Sequence, residues 1–136
     1  MSYDIVKAGI IGLMNALGYA ESSQIVDFKN ASTYEYGNTF ILKCLSGEKN
    51  NDTIVDRFYD GQEWQILIAF SRSEQNDIIE YDKAHRARDA IIKNLDTPAN
   101  WESFVRILKY QKWELTETPN YYVLDIRLSI IDTYIY

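Results

Sequence analysis

Tyr121-Tyr122-Val123-Leu124-Asp125-Ile126-Arg127-Leu128-Ser129-Ile130-Ile131-Asp132 is the stretch that decides the fold class. In an extended chain successive side chains point to opposite faces, so Tyr122, Leu124, Ile126, Leu128 and Ile130 form one row, and Val123, Asp125, Arg127, Ser129 and Ile131 the other. The first row is apolar and the second is half polar, as expected of an antiparallel sheet with one side exposed. Such a row is stable in water only when something covers it, so the rest of the chain must supply neighbours and a lid.

Upstream of the Glu117 to Asn120 turn, Phe104 to Glu114 also alternates, with Val105, Ile107 and Lys109 opposed to Phe104, Arg106, Leu108 and Tyr110. Glu63 to Phe70 places Trp64, Ile66, Ile68 and Phe70 on one face, and Thr39 to Leu45 does the same with Phe40, Leu42 and Cys44. Between them, Ser46 to Asp52 reads as a loop, Thr53 to Tyr59 as a strand and Asp60-Gly61 as the tight turn of a hairpin. Residues 19–36 are polar, with Ile25, Val26 and Phe28 able to form a short strand. Two segments carry a helical period instead. Ser2 can cap a helix with Asp4 in its first turn, and Ile5, Val6, Ile10, Leu13, Met14 and Leu17 make its stripe before Gly18 stops it. Gly9 and Gly12 weaken this helix while permitting close packing. Asn76 to Leu95 is the second helix, with Asp77 in its first turn, Lys93 in its last and Tyr81, Ala84, Arg88, Ile91 and Leu95 on the buried side; Asp82 with Arg86 and Asp89 with Lys93 lie on the wet side. Thr97-Pro98 closes it. The order α-β-β-β-α-β-β predicts one α+β domain over residues 1–136, an antiparallel sheet covered on one face by two helices.

Composition narrows the function. Of 136 residues, 46% are hydrophobic and 25% charged, enough for one core, and 20 acidic against 14 basic side chains give a net charge of -6. That balance disfavours binding by phosphate neutralisation. Arg106, Lys109 and Lys112, interleaved with Tyr110 and Trp113, are the best basic stretch, but simple alternation sets Lys109 on the opposite face from the other two. Cys44 is alone, so no intrachain disulfide is possible and a reducing compartment is expected. No apolar run has the length of a membrane span and the N-terminus lacks a signal-peptide pattern, so cytosolic synthesis is expected and no membrane partner.

A reactive constellation is hard to find. His85, the single histidine, sits mid-helix between Ala84 and Arg86 with no local group to poise it as a base. Cys44 in an alternating strand behaves as a small hydrophobe. Asp52, Asp56 and Asp60 do not reproduce the ligand order of a calcium loop, and Gly9, Gly12 and Gly37 do not form a phosphate loop. No catalytic residue, metal or cofactor is therefore expected, and the protein is read as a non-enzyme. The unusual feature is aromatic content: 11 Tyr, 5 Phe and 3 Trp. Phe40, Phe58, Trp64, Phe70 and Trp113 are assigned to the core. Tyr34, Tyr36, Tyr121, Tyr134 and Tyr136, near loops or ends, are interface candidates together with Gly47, Asn50 and Asn51 of the Gly47 to Thr53 loop, because Tyr and Trp are enriched where subunits meet.

The chain resembles the tail terminator and tail-completion proteins of long-tailed bacteriophages. The likeness rests on domain length, the α-β-β-β-α-β-β order, the opening helix Asp4 to Leu17, the stretch Asp56-Arg57-Phe58-Tyr59-Asp60-Gly61-Gln62-Glu63-Trp64, and the Ala/Arg-rich helix Asp82 to Asn94 followed by Leu95. It covers most of the chain as a pattern of elements, without a diagnostic motif. The resemblance implies a virion protein of the tail and neck, assembled in the host cytoplasm. Its homo-oligomeric ring, hexameric in that family, would cap the tail tube, end polymerisation of the tube protein and meet the head connector or a head-completion protein, with DNA passing through the lumen without specific binding. Glu48, Asp52, Glu74 and Asp77 are the candidate lumen carboxylates, since like charge keeps DNA from sticking. The alternatives are a head-closure or head-tail joining protein, a small hydrolase using His85 with a carboxylate, and an adaptor that binds peptide along a sheet edge.

Overall fold

A computed structural model describes residues 3–22, 25, 28, 39–52, 57–72, 75, 77–105 and 107–135, and of these the side chains of 48–52, 57–60 and 132–135 are not described. The elements are α1 (Tyr3–Ala16), β1 (Ala20–Glu21), β2 (Thr39–Asp52), β3 (Arg57–Ser71), α2 (Asp77–Leu95), a 3-10 turn (Pro98–Asn100), β4 (Ile107–Glu117) and β5 (Tyr121–Ile135). They form a five-stranded sheet in the order β1-β2-β3-β5-β4. The α+β class holds. The sheet is antiparallel except at β1, which pairs parallel to β2 at Thr39 and Phe40.

The row that decided the fold class is the middle of the core. Tyr122, Leu124, Ile126, Leu128 and Ile130 lie opposite Phe70, Ile68, Ile66, Trp64 and Gln62 of β3, and the apolar members of both rows are buried. Val6, Ile10 and Met14 of α1 and Ala84, Ala87, Ile91 and Leu95 of α2 cover them, so both helices pack on one face. On the other face, Phe28 covers Ile41, Ala69, Tyr121 and Val123, a smaller apolar patch at one end of the sheet. No helix among the described residues is long and apolar enough to cross a membrane.

Helix α1 stops as the sequence predicts. Gly18 takes a φ of 90°, and Gly18 N–H and Tyr19 N–H donate to the carbonyls of Asn15 and Met14 at 3.0 and 3.1 Å, closing the last turn. The caps assigned to Ser2 and Asn76 lie outside the described residues. Ile5 departs from the expected stripe and is exposed, as is Tyr81 in α2, while Ala87 takes a buried place.

The strands differ from expectation in three places. Ser46 to Asp52 is the second half of β2, and Asp60-Gly61 is the interior of β3, with Gly61 opposite Glu48 on one side and Ile131 on the other. An Asp-Gly pair favours a two-residue turn. Here β2 and β5 flank the segment, so its backbone is paired on both sides, and this tertiary pairing overrides the local turn preference. Asp52 opposite Arg57 is the last described pair of this antiparallel ladder, and residues 53–56 lie outside the described residues. The residues around Phe104 are turn, and the strand begins at Ile107. Pro98 sets the preceding turn, in which Val105 N–H donates to the carbonyl of Trp101. The expected strand over Val26 lies mostly outside the described residues.

Both outer strands also carry an irregularity, between Cys44 and Ser46 in β2 and between Tyr110 and Lys112 in β4. One extra residue exchanges the faces of everything beyond it. The paired strands continue past the core that the helices cover: that core ends at Trp64 and Ile130, whereas β3 stays paired to Arg57, opposite Asp52 and Ile135. The seven further residues of β3, 57–63, span about 23 Å.

The two helical glycines are predicted to behave oppositely. A Cβ on Gly9 would collide with the Phe104 ring, whereas one on Gly12 meets nothing within 4 Å. Gly9→Ala is expected to lower stability by about 1–2 kcal/mol despite its better helix propensity, and Gly12→Ala to raise it by about 0.5–1 kcal/mol. Urea unfolding of both variants checks this; equal effects would mean that the Phe104 ring yields freely.

Candidate functional site

The irregularity in β4 creates the most elaborate side-chain cluster. Before it, Leu108 and Tyr110 stand opposite Ile130 and Leu128; after it, Trp113, Leu115 and Glu117 stand opposite Ile126, Leu124 and Tyr122. The odd-numbered residues thus come onto the helix-covered face, at the outer strand of the sheet. Trp113, expected in the core, is there 37% exposed, because β4 has a strand neighbour on one side only among the described residues. The Arg88 guanidinium of α2 lies 4.2 Å from its ring centroid.

Arg88 also meets Nδ1 of His85 at 2.7 Å and donates twice to Asp89 Oδ1, at 2.9 and 3.1 Å. A guanidinium only donates, so Nδ1 accepts and the ring proton belongs on Nε2. His85 stands edge-on to Tyr81 at 4.6 Å and to Trp113 at 5.8 Å. Tyr81, His85, Trp113, Leu115 and Glu117 line an open cleft of about 360 Å³. Its walls are mostly aromatic, and Glu117 is its one carboxylate. No local pattern announces this site: His85 and Arg88 are one turn apart, but Trp113 reaches them only through the bulge and the return of β4 beside α2.

A second polar group fixes the start of α2. Asp77 accepts from Arg72 Nε at 3.1 Å and from Tyr122 Oη at 2.8 Å, while Arg72 Nη1 donates to the Thr118 carbonyl at 2.7 Å and its guanidinium lies 4.8 Å from the Tyr122 ring. The hydrogen bonds from Tyr122 and then Arg72 hold the Asp77 carboxyl below its ordinary range. Burial, followed by the bond to Asp77, pushes the Tyr122 phenol up. Asp77, with both of its oxygens engaged, is thus a structural anchor for the helix.

The remaining predicted residues separate. Glu48, Asn50, Asn51 and Asp52 are on β2, opposite Gly61, Tyr59, Phe58 and Arg57; Tyr134 is on β5 opposite Phe58. Gly47 is exposed on β2, within a strand and not a loop. Glu74, Tyr34, Tyr36 and Tyr136 lie outside the described residues. Tyr121 is fully buried, with its ring 5.6 Å from that of Phe28, and so leaves the interface set. The Thr118 hydroxyl closes the turn before it, accepting from Tyr121 N–H at 3.0 Å, which draws this tyrosine under Phe28. Cys44 is exposed.

On the face away from the helices, Arg127 bridges Asp125 at 3.1 Å and Glu63 at 3.2 Å, and Gln65 Nε2 donates to Asp125 at 2.8 Å. The bond to Asp125 raises the Arg127 pKa above its ordinary value. The β4 irregularity puts Lys109, opposite Ser129, and Lys112, opposite Arg127, on this same face, correcting the expected split of the basic stretch; Arg106 lies outside the described residues. Beside β2, Tyr3, Ile25, Leu42, Lys43, Cys44 and Leu45 line a further open depression of about 460 Å³. Among the described residues no three His, Cys, Asp or Glu side chains are placed to hold a metal ion. No family model matches the chain, and no curated protein matches it.

Because the folded-state pKa of Asp77 is depressed, its contribution to stability is present above the unfolded value of about 3.9 and is lost as pH falls through the folded value. The stability difference between the wild type and Asp77→Asn is therefore expected to be constant from neutral pH to about pH 5 and to shrink below about pH 4. Urea unfolding across that range checks it; a difference that does not change with pH would remove the anchor role.

Proposed function

We propose that the protein is a non-catalytic structural subunit of a phage virion, acting as the tail terminators it resembles act. In this reading, copies form a ring, six by family likeness, that caps the tail tube, ends its growth and joins the tail to the head connector. One observation carries most of the support. Strand β2 is paired on its outer side only at Thr39 and Phe40, so from Ile41 to Asp52 its outer edge has no strand neighbour among the described residues. Such an edge is a ready template for another chain.

The surface beside that edge is apolar. Tyr3, Ile25 and Leu45 are exposed and line the depression next to β2 with Leu42, Lys43 and Cys44. Exposed apolar side chains clustered at an open strand edge are the combination that subunit contact consumes. In a closed ring the edge of one copy meets a different patch on the next, and rotation closes the set. The net charge of -6 suits a passage for DNA, with Glu48 and Asp52, on the far half of β2, as the lumen carboxylates that this reading retains.

The test is mass and position. Native mass spectrometry or light scattering is expected to find a ring, and electron microscopy of isolated tail tubes mixed with the protein is expected to find it at tube ends. Leu45→Asp, at the exposed irregularity of β2, is expected to abolish the ring while leaving the circular dichroism spectrum unchanged. A protein that stays monomeric and leaves tube ends bare would overturn the reading, and binding to filled heads alone would move it to a head-closure role.

A further inference from the structure

The cleft between α2 and β4 combines three features that the ring reading does not use. First, β4 is the last strand of the sheet and pairs only with β5, so its outer edge has no strand neighbour among the described residues. Second, Trp113 and Tyr81, 37% and 41% exposed, line the cleft beside β4 and are held in place, Trp113 by Arg88 and Tyr81 by edge contacts with His85 and Tyr122. Their surfaces are thus set in position before any ligand arrives, which reduces the ordering cost of binding. Third, the charge left over is negative. Arg88 is paired with Asp89 and Arg72 with Asp77, whereas Glu117 lines the cleft and, though the Arg72 charge reaches it, makes no close ion pair among the described residues.

Aromatic faces with an unpaired carboxylate are the chemistry of a cation site. The guanidinium already lying on Trp113 shows that this indole accepts a cation at its face. A lone small cation would leave the β4 edge unused, whereas an extended peptide satisfies both, its backbone pairing with β4 and one side chain in the cleft. We propose that this cleft and the adjoining edge of β4 bind an extended segment of a partner protein, with an arginine or lysine of that segment placed between Tyr81, Trp113 and Glu117. The acidic balance of the whole chain favours such a segment over an acidic one. The partner here is a protein; a nucleic acid would bring phosphate to a site whose open charge is a carboxylate.

The indole N–H groups give a direct readout. Trp64 Nε1 donates to Gln62 and Trp101 Nε1 to the Leu95 carbonyl, at 2.7 and 2.8 Å, and both rings are buried, so Trp113 is the reporter, assigned by Trp113→Phe. The full chain is titrated with the peptide acetyl-Thr-Val-Arg-Val-Thr-amide and with its citrulline counterpart, which keeps the shape without the charge. A saturable shift of the Trp113 indole signal is expected with the arginine peptide, together with slowed exchange of amides in 112–117. Citrulline, and separately Glu117→Gln, should each weaken binding about tenfold. Glu117 is exposed, so its replacement should leave the unfolding midpoint unchanged; if it does not, Tyr81→Leu makes the same test from the α2 side. Equal affinity for the two peptides, no saturable shift with the arginine peptide, or binding without protection of β4 amides would overturn the proposal.

Discussion

Every other element answers to the pairing of β3 with β5. Trp64 with Leu128, Ile66 with Ile126, Ile68 with Leu124 and Phe70 with Tyr122 stand opposite each other across the two central strands, and all eight are buried. Each such side chain taken from water is worth about 1.5–3 kcal/mol, so this double row outweighs any single polar contact in the molecule. It also fixes register. A slip of one residue would turn the apolar row to the open face and put Asp125 and Arg127 beneath the helices. The central pair runs without irregularity, and both helices take their places as its cover.

The outer strands are where regularity is given up. In β2 and β4 an extra residue changes which side chains face the helices, and the consequences are chemical as well as geometric. In β4 it turns Trp113 toward α2 and gathers Lys109 and Lys112 on the open face. The cluster of Arg88, His85, Tyr81 and Trp113 depends on that one residue. Beyond Phe40 in β2, and along β4, only one side of the backbone pairs with another strand among the described residues, which leaves room for the extra residue.

Helix α2 is held at two points by different chemistry. At its start, Asp77 joins Arg72 and Tyr122 in a compact charge-assisted group that ties the helix to the β4–β5 turn. Half-way along, Arg88 and His85 brace it against the indole of β4. Between the two lies the cleft, its walls set by contacts that belong to the fold itself. The same organisation leaves the two ends of the sheet different in character, an aliphatic and aromatic depression beside β2 and a braced aromatic cleft beside β4.

The fold class was legible because alternation and helical period are local. Tyr122 to Ile130, Trp64 to Phe70 and the Val6, Ile10, Met14 stripe each report burial on one face within a few residues, and the Gly18 stop needs only the chain beside it. What depended on distant partners was not legible. Asp60-Gly61 carries a strong turn signal, yet pairing on both sides keeps it extended. Tyr121 reads as a terminal aromatic, yet Phe28, remote in sequence, buries it. Asp77 reads as a solvated helix-start charge, yet Arg72 and Tyr122 claim both its oxygens. By itself the sequence determined the α+β class, the central strands and the two covering helices, because hydrophobic periodicity is a property of neighbouring residues. Only the tertiary structure decided where the outer strands shift register, which aromatics remain exposed and which charges are left unpaired, because each of those follows from contacts between segments that meet only after folding.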